Sequence, residues 1–187
     1  MGYDANNLKQ ALDDVSASSA GGAPFLIGYG LTFLITAILS FFLERPVAAM
    51  IALFQGGAAL PLAFWLERRM GSKRMEAENP LKPLSAQMAM SQALALPALI
   101  GVYTLNPSAI PVVLAGLGGV HFMPYAWLHR TRLYAILGGA IALGAFAIQL
   151  LLGTQAFSII LLYIALLYGV MAALVYRHAR GLVAKAE

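Results

Sequence analysis

The sequence predicts an all-α, polytopic membrane protein with six transmembrane helices, and three observations support this. First, 60% of the 187 residues are hydrophobic and 11% are charged, against about 45–50% and about 25% in soluble domains. Second, the mean hydropathy of +0.77 excludes a disordered chain, which needs low hydrophobicity. Third, the apolar residues form six stretches of about 20 residues, the length that crosses a hydrocarbon core of roughly 30 Å.

The six stretches contain no aspartate, glutamate, lysine or arginine. They are continuously apolar instead of alternating, which favours helices over a β-barrel because a backbone in lipid must satisfy its own hydrogen bonds. The predicted spans are 25–43, 47–66, 84–105, 108–128, 133–153 and 156–176. We therefore predict a membrane domain over residues 24–176, between an N-terminal segment, 1–23, and a C-terminal tail, 177–187.

The N-terminal segment is polar and unlike a secretory signal. It carries three aspartates and a single lysine, Lys9, and lacks the basic start and early apolar core of a signal peptide, so the first span is predicted to be retained. Leu8, Leu12 and Val15 recur at helical spacing. This predicts a short amphipathic helix before the membrane, ended by the small residues of 16–22.

Basic residues mark one side of the predicted membrane domain. Eleven of the 12 lie in the N-terminal segment, the second and fourth loops and the C-terminal tail, whereas Arg45 lies on the other side. The positive-inside rule then places both termini in the cytoplasm, with the chain multi-pass in a bacterial inner membrane. Nucleic-acid binding is not predicted, because the cations are scattered over loop ends.

Four of these cations form what we call the basic rim: Arg68, Arg69, Arg130 and Arg132. Cations at this depth attract anionic lipid headgroups. The basic rim therefore either sets the topology alone or also binds membrane lipids or a partner protein.

Two predicted spans share a sequence pattern. A glycine pair is followed eight residues later by Trp-Leu-X-Arg, with an offset of 62 residues between the two copies. The glycine pairs are Gly56-Gly57 and Gly118-Gly119. The pattern indicates a duplicated two-helix hairpin, repeated about the membrane normal. Alternatively, it is common in membrane helices, in which small residues allow close packing and Trp and Arg lie at the interface.

His121 is the one residue of the predicted spans whose side chain ordinarily titrates near neutral pH. An intramembrane ionisable group is a functional candidate by default. Pro124 frees backbone carbonyls about one turn earlier. We predict a polar cavity among spans two to four, lined by His121, Tyr125, Gln55 and Gln92. The alternative is a neutral histidine that hydrogen-bonds a neighbouring helix, with the glutamines in the same role.

Catalytic and metal-binding patterns are missing from the sequence. There is no cysteine, no carboxylate within a predicted span, and no spacing typical of a serine triad, a phosphate loop or a zinc protease. No cofactor and no metal is therefore predicted. An intramembrane enzyme is the least favoured function.

Two other functions remain open. The working hypothesis is a small-solute transporter or channel with the polar cavity described above. The alternative is a non-enzymatic membrane component that binds lipid or a partner through the basic rim. A homo-oligomer is compatible with Ala140 and Gly144, which give the fifth span a small-residue face that can pack within or between subunits.

Several short motifs along the chain carry a family resemblance. They are Gly56-Gly57 with Pro61-Leu62; Asn79-Pro80-Leu81-Lys82-Pro83-Leu84; Leu96-Pro97; Gly118-Gly119-Val120-His121-Phe122; and Thr131-Arg132-Leu133-Tyr134 followed by Gly138. With these motifs, about residues 20–176 resemble an uncharacterised bacterial family of six-span membrane proteins, domain of unknown function 7010.

This resemblance implies a six-helix integral membrane protein without an assigned activity, so no functional residue can be carried over. It also implies that another polar or cationic residue can occupy the position of His121. That weakens any mechanism that requires an imidazole there.

Overall fold

The computed structural model describes residues 5–70 and 74–183, so the first four residues of the predicted N-terminal segment and the last four of the predicted tail lie outside it. The described residues form nine α-helices and short 3₁₀ turns, with no strand among them. The helices are α1 (Ala5–Ser18), α2 (Ala23–Leu39), α3 (Arg45–Phe54), α4 (Gly56–Met70), α5 (Lys82–Ser91), α6 (Leu96–Leu105), α7 (Ile110–Leu128), α8 (Leu133–Leu152) and α9 (Ala156–Val183). The all-α prediction is confirmed.

Five stretches of the described chain are long and apolar enough to cross a membrane. They are Ala20–Leu39, Arg45–Met70, Lys82–Leu105, Pro107–Leu128 and Leu133–Leu182. The last contains both α8 and α9, which fold back on each other at Gly153, where φ is +54°. The Tyr163 hydroxyl of α9 donates to the Ala140 carbonyl of α8 at 2.8 Å. The fold is that of a polytopic membrane protein.

The regular hydrogen bonding of the second predicted span is broken at Gln55, whose own backbone angles, φ −57° and ψ −24°, are helical. α3 ends at Phe54 and α4 begins at Gly56, with Gln55 between them. Pro61, which lies inside α4, has no N–H, and its ring crowds the Gly57 carbonyl one turn earlier. Gly56 and Gly57 also have low helix propensity, which weakens the helix at the same place. The irregularity therefore lies one to two turns upstream of Pro61.

The third predicted span is broken as well, and it is loosely packed. The 3₁₀ turn Ala93–Ala95 separates α5 from α6, and Pro97 deprives the Ala93 carbonyl of its helical partner. Leu99 is the one buried residue of Lys82–Leu105. This span therefore contributes little to the apolar core.

The core is built around α9. This helix packs along α2 and α8, and α7 packs along α8. Fully buried large residues of α9 are Phe157, Ile160, Leu161, Ile164 and Val175. Because α9 continues to Val183, it extends beyond residue 176, the predicted end of the membrane domain.

The predicted packing glycines differ in their surroundings. A Cβ on Gly119 would lie 2.6 Å from the Gly138 carbonyl oxygen, so α7 and α8 touch closely there. A Cβ on Gly118 would lie 3.7 Å from the Tyr168 hydroxyl, and one on Gly56 would lie 3.4 Å from the Tyr29 hydroxyl, whereas one on Gly57 would meet no atom within 4 Å. Gly57 is therefore not a close-packing position in this chain.

Helix continuity also differs between the two glycine pairs. α7 runs through Gly118-Gly119 without interruption, whereas Gly56-Gly57 begins α4 after the break. The hairpin repeat remains a prediction. The Ala140 and Gly144 face is filled from within the chain, because Tyr163 lies directly against Gly144.

The amphipathic helix expected from Leu8, Leu12 and Val15 is present as α1. Its buried residues, Leu12 and Val15 among them, pack on Leu81 and Leu128, which precede α5 and end α7. We call this end of the bundle, formed by α1 and residues 74–81 and 129–132, the basic end. The turn at Gly153 belongs to the opposite end.

Candidate functional site

Three rings lie along one face of α7 and its C-terminal cap. His121, Tyr125 and His129 are four residues apart, and a helix places residues at this spacing on one face. The ring centroids of His121 and Tyr125 are 5.1 Å apart. Those of Tyr125 and His129 are 5.9 Å apart, with the rings nearly parallel at 12°. We call this set the ring ladder; at the rise of an α-helix it extends about 12 Å.

The first ring of the ladder contacts the third span. The Ser91 hydroxyl lies 3.3 Å from His121 Nδ1 and donates to the Met88 carbonyl at 2.7 Å. The Ser91 hydroxyl thus links α5 to the His121 ring of α7. Ser91 is exposed, so this contact is open to the surroundings of the bundle.

The four residues of the predicted cavity are only partly brought together. His121 and Tyr125 are neighbours in the ring ladder. Gln55 is buried, and its Oε1 lies 3.4 Å from the Thr36 hydroxyl of α2, which also donates to the Thr32 carbonyl at 2.8 Å. Gln92 is exposed on the third span, next to Ser91. Gln55 thus contacts a neighbouring helix.

The last ring, His129, is enclosed at the basic end. It is 3% exposed, its Nδ1 lies 3.1 Å from the Ser16 hydroxyl of α1, and its ring stacks on Tyr134 with centroids 5.2 Å apart. Burial, and secondarily the nearby imidazole of His178, lowers the pKa of His129 to about 4. The ring is therefore neutral at neutral pH.

Sequence reasoning missed His129 because this residue follows the fourth predicted span, which ends at residue 128, and so falls in a loop. The available signal is its spacing of eight residues from His121, which extends the same helical face. Its burial depends on Ser16, 113 positions away in the sequence. No local pattern predicts such a contact.

The turn between α1 and α2 is seated directly on His129 and Tyr134. The Tyr134 hydroxyl donates to the Gly21 carbonyl at 2.5 Å. A Cβ on Gly22 would collide with the Tyr134 hydroxyl and lie 3.5 Å from His129 Nε2, and one on Gly21 would lie 2.8 Å from the Val175 carbonyl oxygen. Only glycine fits at both positions.

Acidic residues of α1 tie it to both loops of the basic end. Asp14 Oδ2 accepts from Asn79 Nδ2 at 2.8 Å and from the Glu76 backbone N–H at 3.0 Å. Asp13 forms a 2.8 Å salt bridge with Arg130. The N-terminal helix is therefore attached to the bundle by both polar and apolar contacts.

The predicted basic rim has two kinds of member. Arg130 pairs with Asp13. Arg68, Arg69 and Arg132 are exposed, and the Arg69 guanidinium lies 5.3 Å from the centre of the Trp65 ring. Three of the four cations are thus open to a ligand.

A depression of about 430 Å³ lies at the opposite end of the bundle. Its polar lining residues are Asn106, Ser108, Gln149 and Thr154. Asn106 Oδ1 accepts from the Ser108 N–H at 3.1 Å, and Gln149 Nε2 donates to the Gly153 carbonyl at 2.9 Å. These amides cap turns, and the depression lies outside the cavity predicted among spans two to four.

In the described part of the chain, no group of three histidine, cysteine or carboxylate side chains lies close enough together to hold a metal ion. The site consists instead of neutral rings and hydroxyls that join a loosely packed span to a helix at the basic end. Fold and site together define an all-α, multi-pass membrane protein with a histidine-tyrosine ladder.

Comparison with known proteins places this chain in a family. The model of a family of unknown function, DUF7010, matches residues 8–178, and the chain belongs to that family. The match includes α1 from Leu8 onwards and all of the ring ladder. No curated protein matches the chain, and neither does any solved structure.

Proposed function

We propose that the protein is a transporter or channel for a small solute, with a polar path between the third span and α7. The observation that carries the proposal is the contact between Ser91 and His121, made by a span in which one residue is buried. A polar residue that faces acyl chains is unfavourable. Water or a ligand next to Ser91 and Gln92 would satisfy these polar groups.

Irregular helices support the same proposal. Local departures from α-helical hydrogen bonding in membrane helices occur at transporter binding sites, where backbone groups can face a polar ligand. In the second span the regular hydrogen bonding is interrupted at Gln55, and in the third it tightens to a 3₁₀ turn at Ala93–Ala95.

The weak packing of the third span supports a conformational change of this span during the proposed transport. Elements with few buried apolar contacts open at low free-energy cost. α5 has no buried residue, whereas α9 has buried residues from Ala156 to Ala179. The proposed motion is a displacement of α5–α6 against a rigid core of α2, α7, α8 and α9.

The proposal includes an orientation. With three exposed members of the basic rim and the α1 helix at one end, the positive-inside rule favours that end as cytoplasmic, in a bacterial inner membrane. Thiol labelling from each side of sealed vesicles tests this with a cysteine at the exposed Arg132 and one at the exposed Asn106. Labelling of the Arg132 position from the periplasmic side would overturn the orientation.

Cysteine accessibility tests the polar path, since the chain has no cysteine of its own. Ser91→Cys and Gln92→Cys in proteoliposomes should react with a membrane-impermeant thiosulfonate reagent. The matched control is Leu94→Cys, two residues further on and 84% exposed, which should face lipid and stay unlabelled. If all three cysteines remain unreactive, no aqueous path reaches α5.

Flux measurements test transport itself. Proteoliposomes should pass glycerol, urea or protons faster than protein-free vesicles, measured by light scattering for the first two and an internal pH dye for the third. Ser91→Ala should reduce that flux, whereas Ser108→Ala at the opposite end should not. Equal flux in the presence and absence of protein for all three probes would count against the proposal.

A second candidate, lipid binding at the basic rim, is favoured by the exposed Trp65 beside Arg69. An interfacial aromatic and a cation together bind an anionic headgroup. We expect native mass spectrometry to show anionic lipid that is lost when Arg68, Arg69 and Arg132 are changed to Gln. Arg45→Gln is the control, and equal lipid retention in both variants would exclude this candidate.

A further inference from the structure

We propose that α1 is a pH-sensitive cap on the basic end, which turns about Ala20–Gly22 and is released when His129 binds a proton. This inference concerns α1 and its contacts and is independent of the proposed transport. It rests on three features: a closed interface, a hinge, and a titratable group enclosed by that interface.

The closed interface is partly apolar and partly polar. Leu12 and Val15 of α1 pack on Leu81 and Leu128. The polar contacts include the Asp13–Arg130 salt bridge, the hydrogen bonds of Asp14 and a bond from the Asn79 amide to the Ala11 carbonyl. α1 also touches α9, so local opening breaks these contacts while α9 keeps its packing on α2 and α8.

The hinge is a run of three residues with left-handed backbone. The φ values of Ala20, Gly21 and Gly22 are +49°, +66° and +81°. Glycine enters and leaves this region freely, whereas alanine occupies it only when the surrounding contacts impose it. In the closed state these contacts include the bond from the Tyr134 hydroxyl to the Gly21 carbonyl. Release of the turn would let Ala20 relax and redirect α1.

The enclosed group is the His129 ring. The groups that face it are the Ser16 hydroxyl from α1, Gly22 from the turn, Tyr125 from α7, Tyr134 from α8 and His178 from α9. None of these is a carboxylate, and the Nε2 of His178 is itself buried without a hydrogen-bond partner.

The carboxylates nearest to Ser16 along the chain are engaged by other residues. Asp13 is paired with Arg130, and Asp14 accepts hydrogen bonds from Asn79 and Glu76. A proton on His129 would therefore place a cation beside a second imidazole in a buried site. Opening the cap exposes the ring to water, where the cation is solvated.

The direction of the pH effect follows from this arrangement. The pKa of His129 is about 4 in the closed state and returns towards its ordinary value of 6.5 when the ring is exposed. Acidification therefore favours the open state, by up to tenfold per pH unit between these two values. From pH 7.5 to pH 5.0 the open-to-closed ratio rises about 30-fold.

Thiol labelling measures the opening. Ala11, on the inner face of the cap, is 7% exposed, and Gln10 beside it on α1 is exposed. We would compare Ala11→Cys with Gln10→Cys, using a neutral thiosulfonate reagent at pH 7.5 and 5.0. Dividing the two rates cancels the intrinsic pH dependence of the thiol. We expect the ratio to rise about 30-fold on acidification, and a ratio that does not change overturns the proposal.

Variants test whether His129, and not another group at the basic end, causes the pH dependence of cap opening. His129→Gln keeps a hydrogen-bonding side chain but cannot become charged, so it should abolish the pH dependence. Arg130→Gln removes the salt bridge to Asp13. It should therefore raise the ratio of the Ala11→Cys to the Gln10→Cys labelling rate at both pH values, without changing the pH dependence of that ratio. His178→Gln should retain the dependence. Persistence of the full effect in His129→Gln would assign the switch elsewhere and overturn the proposal.

A distance measurement covers the case in which His129→Gln does not fold. Spin labels at Gln10→Cys and Arg132→Cys, both exposed positions, report the separation of α1 from the fourth loop while His129 is retained. The distance distribution should be narrow at pH 7.5 and broaden to longer distances at pH 5.0. An identical distribution at both pH values contradicts the cap.

Discussion

The Tyr134 hydroxyl donates a 2.5 Å hydrogen bond to the carbonyl of Gly21, 113 residues earlier in the chain. The bond joins the first turn of α8 to the turn between α1 and α2, and both residues are buried. It therefore connects the N-terminal helix to the core at the point where the backbone reverses. The ring that makes it also stacks on His129.

Tyr134→Phe should destabilise the protein. The variant leaves the buried Gly21 carbonyl without this partner, at a cost of about 1–3 kcal/mol. Tyr103→Phe is the matched control, because Tyr103 is only partly buried at the edge of the core and should change stability little. Thermal unfolding in detergent, followed by circular dichroism, measures both. Equal midpoints for the two variants would show that the bond is unimportant.

Gly119→Ala should weaken the contact between α7 and α8. The added Cβ would lie 2.6 Å from the Gly138 carbonyl oxygen and 2.8 Å from the Ala142 Cβ, and such overpacking costs about 1–3 kcal/mol. On the same helix, a Cβ on Gly116 would meet no atom within 4 Å. Gly116→Ala should therefore be neutral or stabilising by up to about 1 kcal/mol. The fraction of monodisperse protein after heating distinguishes the two variants.

Asp14→Asn should cost more than Asp13→Asn. Asp14 is 6% exposed and accepts two hydrogen bonds through Oδ2, so the loss of its charge should cost about 1–3 kcal/mol. Asp13 is 36% exposed in its salt bridge, where a pair contributes about 0–1 kcal/mol. Chemical denaturation in mixed micelles would compare the two variants, and a larger loss for Asp13→Asn would contradict this ranking.

Stability should fall on acidification through His129. Burial lowers its pKa from 6.5 to about 4, so the stabilising contribution of the neutral ring is complete above pH 6.5 and is lost as the pH falls towards 4. Between pH 7.5 and pH 5.0 the loss is about 2 kcal/mol, which corresponds to about 4–8 °C in the thermal midpoint. The His129→Gln variant should not show this loss of stability between pH 7.5 and pH 5.0. A wild-type midpoint that is independent of pH would refute the prediction.

Local patterns in the sequence were sufficient for much of the fold. Continuous apolar stretches predicted the membrane helices, because the length of such a stretch and its lack of charge decide whether it can lie in lipid. The spacing of Leu8, Leu12 and Val15 predicted α1. Both inferences need only residues that are close in the chain. The same holds for His121 and Tyr125, which one helical turn brings together.

Contacts between residues that are distant in the sequence could not be predicted from such local patterns. The sequence placed His129 in a loop, since nothing near it in the chain indicates that Ser16 and Tyr134 enclose it. It also could not locate the break at Gln55, because proline and glycine effects combine there over more than one turn. The role of Arg130 depends in the same way on a distant aspartate.

What the sequence alone determined was the class of protein: an all-α membrane chain with its cations concentrated at one end. These properties depend on composition and on patterns within about 20 residues. Only the tertiary structure decided that α1 closes over His129, that Gly119 rather than Gly57 is a close-packing position, and that the third span is the loosely held one. Each of these depends on which surfaces meet when distant segments pack, and a one-dimensional pattern does not contain that information.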